Sequence, residues 1–229
     1  MNQRKIKHKV LNEGFLRYID SMGNDLSIVR NARVSYDAAW RTGEDKGSDA
    51  RLINYLMRNK HNSPFESVTV TFEVFAPMFV LRQWHRHRTQ SYNELSARYR
   101  PLPCKFYIPE LEQITTQSTD NKQMRTTVKN KYAQDIWCKI INSNQAAFDE
   151  YEGLLESGCP REIARSILPV GTYSHMFATA NLHNWFGFLR ERLHEHAQYE
   201  IRVYAQAILR VLRDIVPVAT AAFEKTLEV

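Results

Sequence analysis

Residues Arg86 to Arg100, RHRTQSYNELSARYR, gather Arg86, His87, Arg88, Arg98 and Arg100 around one acid, Glu94, with Arg82 just upstream. Like charges held close repel, so arginines without acidic partners are either solvated or meet an anion. A guanidinium presents a planar fork of donors that matches a phosphate. Ser91, Asn93 and Ser96 add hydroxyl and amide donors, and irregular backbone exposes free N–H groups. The stretch has no apolar stripe at helical spacing and no strand alternation. A solvated basic face is the plain alternative, yet such a face has little use for the interleaved Tyr92, Leu95 and Tyr99. The residue types favour an anion-binding loop.

A second constellation is NLHNWFGFLRERLHEHAQYEIR, residues 181–202. On a continuous helix Phe188, Arg192, His196 and Tyr199 fall on one side. Arg192 would then border the apolar face of a core-forming helix, where an unpaired guanidinium is costly and must meet a carboxylate or a negative ligand. Pairing with Glu195 or Glu200, or a snorkelling arginine at the helix rim, is an equally good account of the spacing. In GCPREIARSILP, Arg161 and Arg165 lie four apart on a short helix beside Glu162; read alone, this is a solvated face.

Metal chemistry finds no support. His85, His87, His194, Glu195 and His196 lack ligand spacing, and the HEH run, if helical, points its two histidines apart. Neither GxxxxGK[ST], GxGxxG nor GxSxG occurs, so a P-loop, a Rossmann fingerprint and a hydrolase elbow are unsupported.

The elements that must position these residues are mostly helical. NDLSIVRNARVSY predicts a helix capped by Asn24 or Asp25, and SDARLINYLMRNK a second with Leu52, Ile53, Leu56 and Met57 on one face. In SVTVTFEVF, Val68, Val70, Phe72 and Val74 alternate with Thr69, Thr71 and Glu73, the signature of a half-buried strand. Pro77 suits the first position of a short helix, PMFVLRQWHR. The polar segment ITTQSTDNKQMRTT reads as an exposed loop or flap. A long helix is expected from Val128 to Ser157, stopped by Gly158, with Pro160 opening the next and Pro169 closing it. The last helix is expected to run unbroken from Phe188 to Val216, with Leu189, Leu193, Ala197, Ile201, Tyr204, Ile208 and Leu212 as its apolar face. The expected class is α+β in one domain, residues 1–229, with a few strands in the first half.

The chain has 229 residues, 43% hydrophobic and 24% charged, an ordinary balance for one globular core. A formal charge of +6 and a pI near 9.2 suggest an anionic partner without choosing it. Cys104, Cys138 and Cys159 are odd in number and far apart, as in a reducing cytoplasm. Cys104 is the one nearest the arginine stretch, and a structural role is expected for it. The basic start, Met1 to Phe15, leads into no apolar segment, so neither a secretory signal nor a membrane span is expected.

The pattern RHRxxSxNExSxRY resembles the signature of the flavin-dependent thymidylate synthases. GNDLSIVRNARVS, HNSPFE, APMFVLRQW, GCPREIARSILP and NLHNWFGFLRERLHEHAQYEIR look like further segments of that family, in the same order, from about Gly14 to Pro217. The resemblance implies helices around a small, mainly antiparallel sheet, assembled as a homotetramer with active sites shared between subunits. It implies conversion of dUMP to dTMP, with 5,10-methylenetetrahydrofolate as carbon donor and NADPH as reductant through FAD. Neither nucleic acid nor membrane is an implied partner.

By similarity, Ser63, Arg86, His87, Arg88, Glu94, Asn181, Leu182, His183 and Gly187 correspond to flavin positions. Gln83, Trp84, His85, Arg86, Glu94, Leu95, Ser96, Ala97, Arg98, Arg165 and Arg192 correspond to dUMP positions. His61, Tyr99 and His196 match the flavin and folate side. Arg192 matches the residue that polarises the uracil ring by stabilising its ionised N3/O4 form, and no enzyme cysteine nucleophile is implied. Two departures stand out: Ser67 replaces a histidine of the usual PFEH, and Gly187 replaces a polar side chain near the flavin. Two other readings fit the residues less well. A nucleic-acid binder explains the arginines and tyrosines but not Glu94 or Arg192, and a non-catalytic relative would have little reason to keep Arg98, Arg165 and Arg192.

Overall fold

Alternation at Val68, Val70, Phe72 and Val74 produces what it predicts. All four side chains are buried, Val68 just before and the other three on one face of a strand, Thr69–Pro77, at the middle of a five-stranded antiparallel sheet. The computed structural model describes residues 6 to 227, so the basic start from Met1 to Lys5 lies outside the described residues. In chain order the strands are β1 (Lys7–Val10), β2 (Gly14–Met22), β3 (Thr69–Pro77), β4 (Ser91–Glu94), β5 (Thr115–Gln117), β6 (Arg125–Lys129) and β7 (Tyr173–Asn181). The main sheet runs β1-β2-β3-β7-β4, and β5 and β6 form a separate hairpin. The helices are α1 (Asp25–Val34), α2 (Lys46–Arg58), α3 (Met78–Trp84), α4 (Ala133–Glu156), α5 (Arg161–Ala164), α6 (Leu182–Arg192), α7 (Tyr199–Ile215) and α8 (Pro217–Glu224).

The chain is thus α+β in one domain. Helices α6, α7 and α8, with α1 and α2, cover the sheet face that carries Val70, Phe72, Val74, Met176 and Ala178. Aromatic rings fill this core: Trp84 lies against Phe188 at 4.7 Å, and Phe72 meets Trp185 edge-on at 5.0 Å. A smaller core of Phe106, Phe148, Tyr151 and Ala164 joins α4 to α5. Among the described residues no helix is long and apolar enough to cross a membrane.

Several expectations need correction. Strands are not confined to the first half: β7, in the second half, pairs with β3 over nine residues. Its core face is built from Met176, Ala178 and Ala180, and alanine is depleted in strands, so the pattern does not announce one. Ser91–Glu94 lies within the stretch that showed no strand alternation, yet it pairs with β7; an edge strand of four residues carries little pattern. Glu73 was expected on the polar side of β3, but it is buried and held by Arg17 and His175 on the flanking strands.

The polar segment expected to be an exposed loop or flap contains the β5–β6 hairpin, where Thr116 and Thr126 share a 2.6 Å hydroxyl bond. The hairpin occupies residues up to Lys129, so α4 begins at Ala133 rather than Val128. It ends before Gly158, whose φ of +79° suits glycine. Pro77 is the residue before α3 rather than its first, and it still belongs to β3. Helix α2 starts at Lys46, two residues early, because Asp45 caps it through the N–H groups of Gly47 and Ser48.

The largest correction concerns the last helix, which is two helices broken at 193–198. No Gly or Pro marks the break, so the sequence gives no punctuation there. Arg202 instead donates to the Glu195 carbonyl at 2.9 Å, satisfying part of the turn's backbone. The break lets α6 pack beside β7 while α7 turns to lie across β1 and β2.

Candidate functional site

The site grows from the loop after α3. Trp84 anchors it: the indole is fully buried and donates to the Gln90 side chain at 3.0 Å. The loop between these residues carries Arg86, His87 and Arg88. Tyr92, on β4, donates its hydroxyl to the His87 carbonyl at 2.7 Å and the Trp84 carbonyl at 3.1 Å. Burial pushes the Tyr92 phenol up to about 12, which keeps it a donor at neutral pH. The loop is therefore fixed to its own strand before it meets anything else.

Helix α6 supplies the opposite wall. Asn181 caps it by accepting from the Asn184 N–H, and Asn184 in turn donates to the Thr89 carbonyl at 3.1 Å. The His87 ring lies edge-on to Phe188 at 4.7 Å, and Arg192, one turn on, donates from Nε to His87 Nε2 at 2.9 Å. Burial holds the His87 imidazole below its usual value, and the Arg192 charge adds to this against a smaller opposing pull from Glu191. Gln83 bonds Gln198 in the turn between α6 and α7. The sequence reading set Arg192 and His196 on one helix face; in fact Arg192 ends α6, while His196 is exposed in the break, its ring 4.7 Å from that of His194. The two histidines of HEH thus meet rather than diverge, because the segment is not helical. Among the described residues no three His, Cys, Asp or Glu side chains gather as a metal site.

Beyond β4 the chain turns away. The Leu95 N–H donates to the His175 carbonyl at 2.7 Å, and Ser96 forms a turn through bonds to Arg98 N and Tyr99 N. Arg98 faces Glu162 at 3.7 Å, and Arg161 reaches the Tyr99 carbonyl at 3.5 Å. Arg161 and Arg165 do not share a helical face as expected. Helix α5 ends at Ala164, and Arg165 opens a 3-10 turn before Leu168 and Pro169, where the residue before proline disfavours helix.

Arg86, Arg88 and Arg165 are exposed and meet no acid or other side-chain partner among the described residues; Arg82 and Arg100 are the same. Glu94, at the end of β4, is exposed and equally without a partner. Ser63 and His183 are on the surface side of their elements, and His61 packs its ring against Tyr55 at 5.8 Å, unbonded to the other expected residues. The side chains of Trp84 and Leu182 are fully buried in the core and Ala97 is nearly so, which leaves only their backbone for a ligand. His85 turns inward to Met176 and Tyr92. Gly187 is exposed on α6, and a side chain there would meet nothing within 4 Å.

An open cleft of about 840 Å³ lies between the β5–β6 hairpin and residues 195–202. Of the expected residues it takes in only His196, so the arginine loop and this cleft are neighbours rather than one cavity. Asn184, Glu191 and Gln198 were not singled out from sequence, although each bonds or faces an expected residue. Asn184 and Glu191 were quoted within the helix motif, but no spacing rule marks which of its polar residues turn toward another loop.

A family model, the thymidylate synthase complementing protein family (Thy1), matches residues 17–218. A flavin-dependent thymidylate synthase of Treponema denticola is 46% identical over 95% of this chain and 81% of its own length. One from Thermus thermophilus is 46% identical over 95% of this chain and 78% of its own. Among solved structures, a UMP/dUMP methylase, PolB, from Streptomyces cacaoi bound with 5-Br dUMP is similar at a TM-score of 0.86 and 36% identity, covering 94% of this chain and 96% of that one.

Proposed function

The chain belongs to the flavin-dependent thymidylate synthase family, and from that membership we propose that it reductively methylates dUMP to dTMP, with 5,10-methylenetetrahydrofolate and NADPH as co-substrates and FAD as cofactor. The observation that carries the reading is a loop braced against α6 that presents two exposed arginines without acid partners, Arg86 and Arg88. Such cations are suited to phosphates. Relatives named thymidylate synthases stand at 43–46% identity, above the 36% of the UMP/dUMP methylase, which favours the deoxynucleotide.

The residues present fit FAD: free cations at Arg86 and Arg88, the capped start of α6 at Asn181 to His183, and open space over Gly187 for a flat ring or a phosphate. When bound, FAD supplies the relay of reducing equivalents from NADPH to the nucleotide. Ser96, Arg98 and Arg165 hold the dUMP phosphate, Gln83 and Glu94 orient the sugar and ring, and Ser63, His61, Tyr99 and His196 border the flavin and folate. Arg192 acts as a fixed positive charge against the N3–O4 edge of the uracil ring; it stabilises the ionised form that makes C5 electron-rich. No proton has to leave the guanidinium.

An attacking cysteine is not needed. Cys104 is exposed, and its thiol is held above its usual value, chiefly by desolvation and also by Asp149 and Glu152, which opposes thiolate formation. Its exposure also weakens the expected structural role. Three free cysteines support a cytoplasmic setting. Completion of the site across a homotetramer is what the family resemblance implies for this chain.

The test is anaerobic addition of NADPH to the purified protein, with and without dUMP, followed by methylenetetrahydrofolate. Flavin bands at rest, bleaching that changes with dUMP, and formation of dTMP are expected. A protein that cannot be loaded with FAD, or that loads and makes no dTMP, overturns the reading.

A further inference from the structure

We propose that His87 is the positioning residue for Arg192: a neutral imidazole accepts the Arg192 Nε–H and fixes the direction of the guanidinium before any nucleotide arrives. The inference rests on the reading of Arg192 as the charge that polarises the pyrimidine, and it gives His87 a task beyond the flavin contact that family resemblance assigns.

The contact is Arg192 Nε to His87 Nε2 at 2.9 Å. An arginine in a protein stays protonated and can only donate, so Nε2 must carry its lone pair and Nδ1 the proton. The imidazole is held from several directions. Its backbone N–H donates to the Trp84 carbonyl at 2.9 Å, its carbonyl accepts from Tyr92, and its ring rests on Phe188, which lies one helical turn before Arg192. The same ring therefore touches both residues of one helical stripe. The His87 side chain is 10% exposed and that of Arg192 19%.

Arg192 is the last residue of α6, where a long flexible side chain would otherwise sweep a wide arc. Two other groups face the pair. The Glu191 carboxylate stands 3.8 Å from His87 Nε2 and 3.7 Å from Arg192 Nη2, 66% exposed and beyond hydrogen-bonding distance. Tyr92, from β4, bonds the backbone carbonyls of His87 and Trp84 and not the imidazole. With Nε engaged, the end-on pair Nη1 and Nη2 remains for the ligand. Desolvation and the Arg192 charge both keep His87 neutral. Protonating it would replace an accepted hydrogen bond with two facing cations.

The experiment compares His87→Leu, His87→Gln and Arg192→Ala at saturating FAD, with flavin content measured by absorbance. The leucine variant should load FAD, lose about tenfold to a hundredfold in kcat as expected for a misplaced group, and shift the KM for dUMP by less than about threefold. Glutamine, whose Oε1 reaches the place of Nε2, should recover most of that loss. In ¹⁵N spectra the Arg192 Nε–H should be protected from exchange in wild type and the Gln variant and exposed in the Leu variant.

A leucine variant with wild-type kcat, or one whose loss excess FAD cures, overturns the proposal. If Arg192→Ala still makes dTMP, the reading of Arg192 fails, whatever the Nε–H signal shows. If Arg192→Ala is dead and His87→Leu is normal, only the positioning role fails. Should the leucine variant not fold, acid titration of the wild type decides. Joint loss of the Nε–H signal and kcat supports the proposal; loss of the signal with kcat intact refutes it.

Discussion

The two ends of the arginine-rich stretch are built differently. At one end, Arg86 to Gln90 is bound to α6 and β4 by side-chain hydrogen bonds of 2.7–3.1 Å: His87 to Arg192, Thr89 to Asn184, Tyr92 to the loop backbone. At the other, Ser96 to Arg100 meets α5 only through Arg98 and Glu162 at 3.7 Å, 58% and 60% exposed, and through a 3.5 Å bond from Arg161. Exposed pairs of this kind contribute about 0–1 kcal/mol. The first end is organised by the chain itself. The second is joined to α5 by exposed contacts.

The largest effect should come from breaking the second end where ligand would hold it. Arg165→Ala and Arg98→Ala should each raise the dUMP KM by about tenfold to a hundredfold, as for loss of a charge-assisted phosphate contact. Glu162→Ala should leave stability within about 1 kcal/mol. A steady-state titration of dUMP and urea unfolding check the pair. An Arg98 variant with unchanged KM would mean that the exposed end is merely solvated.

The next test acts on the organised end. His87 has its folded value held below the usual 6.5 by burial and Arg192, so the unfolded chain binds the proton more readily. Its contribution to stability is full above about 6.5 and is lost as pH falls through the lower folded value. Urea melts at pH 8 and pH 5.5 should therefore show a larger acid loss for wild type than for His87→Gln. Equal losses would place the acid sensitivity elsewhere.

The smallest effect is expected at Gly187. Its backbone is helical and a side chain there meets nothing, so Gly187→Asn should stabilise the helix by a few tenths of a kcal/mol, about the propensity difference. The polar side chain should also slow FAD release, read by dilution and flavin fluorescence. Faster release would show that the open space is needed by the cofactor.

How far sequence could go follows the same division. The buried strand of alternating valines, the capped α1 and the stop at Gly158 were legible because each rests on local rules of period and capping. The break at 193–198 was not, because α6 and α7 separate to satisfy tertiary packing and no Gly or Pro records it. The β5–β6 hairpin hid in a polar segment for a related reason, since its register is set by threonine hydroxyls and side-chain amides rather than by an apolar face. The site residues came from motif resemblance. Their bonding could not: which arginine finds His87 and which remain open depends on how two distant segments cross.

One feature of the sheet bears on how Glu94 is held. Strand β4, which delivers Glu94 and leads into Ser96, is one of the two edge strands of the main sheet, four residues long and paired with β7. Under the proposed function, the segment that presents Glu94 to the nucleotide is a short ribbon on the sheet edge, and Tyr92 ties that ribbon back to the buried ring cluster through the Trp84 carbonyl.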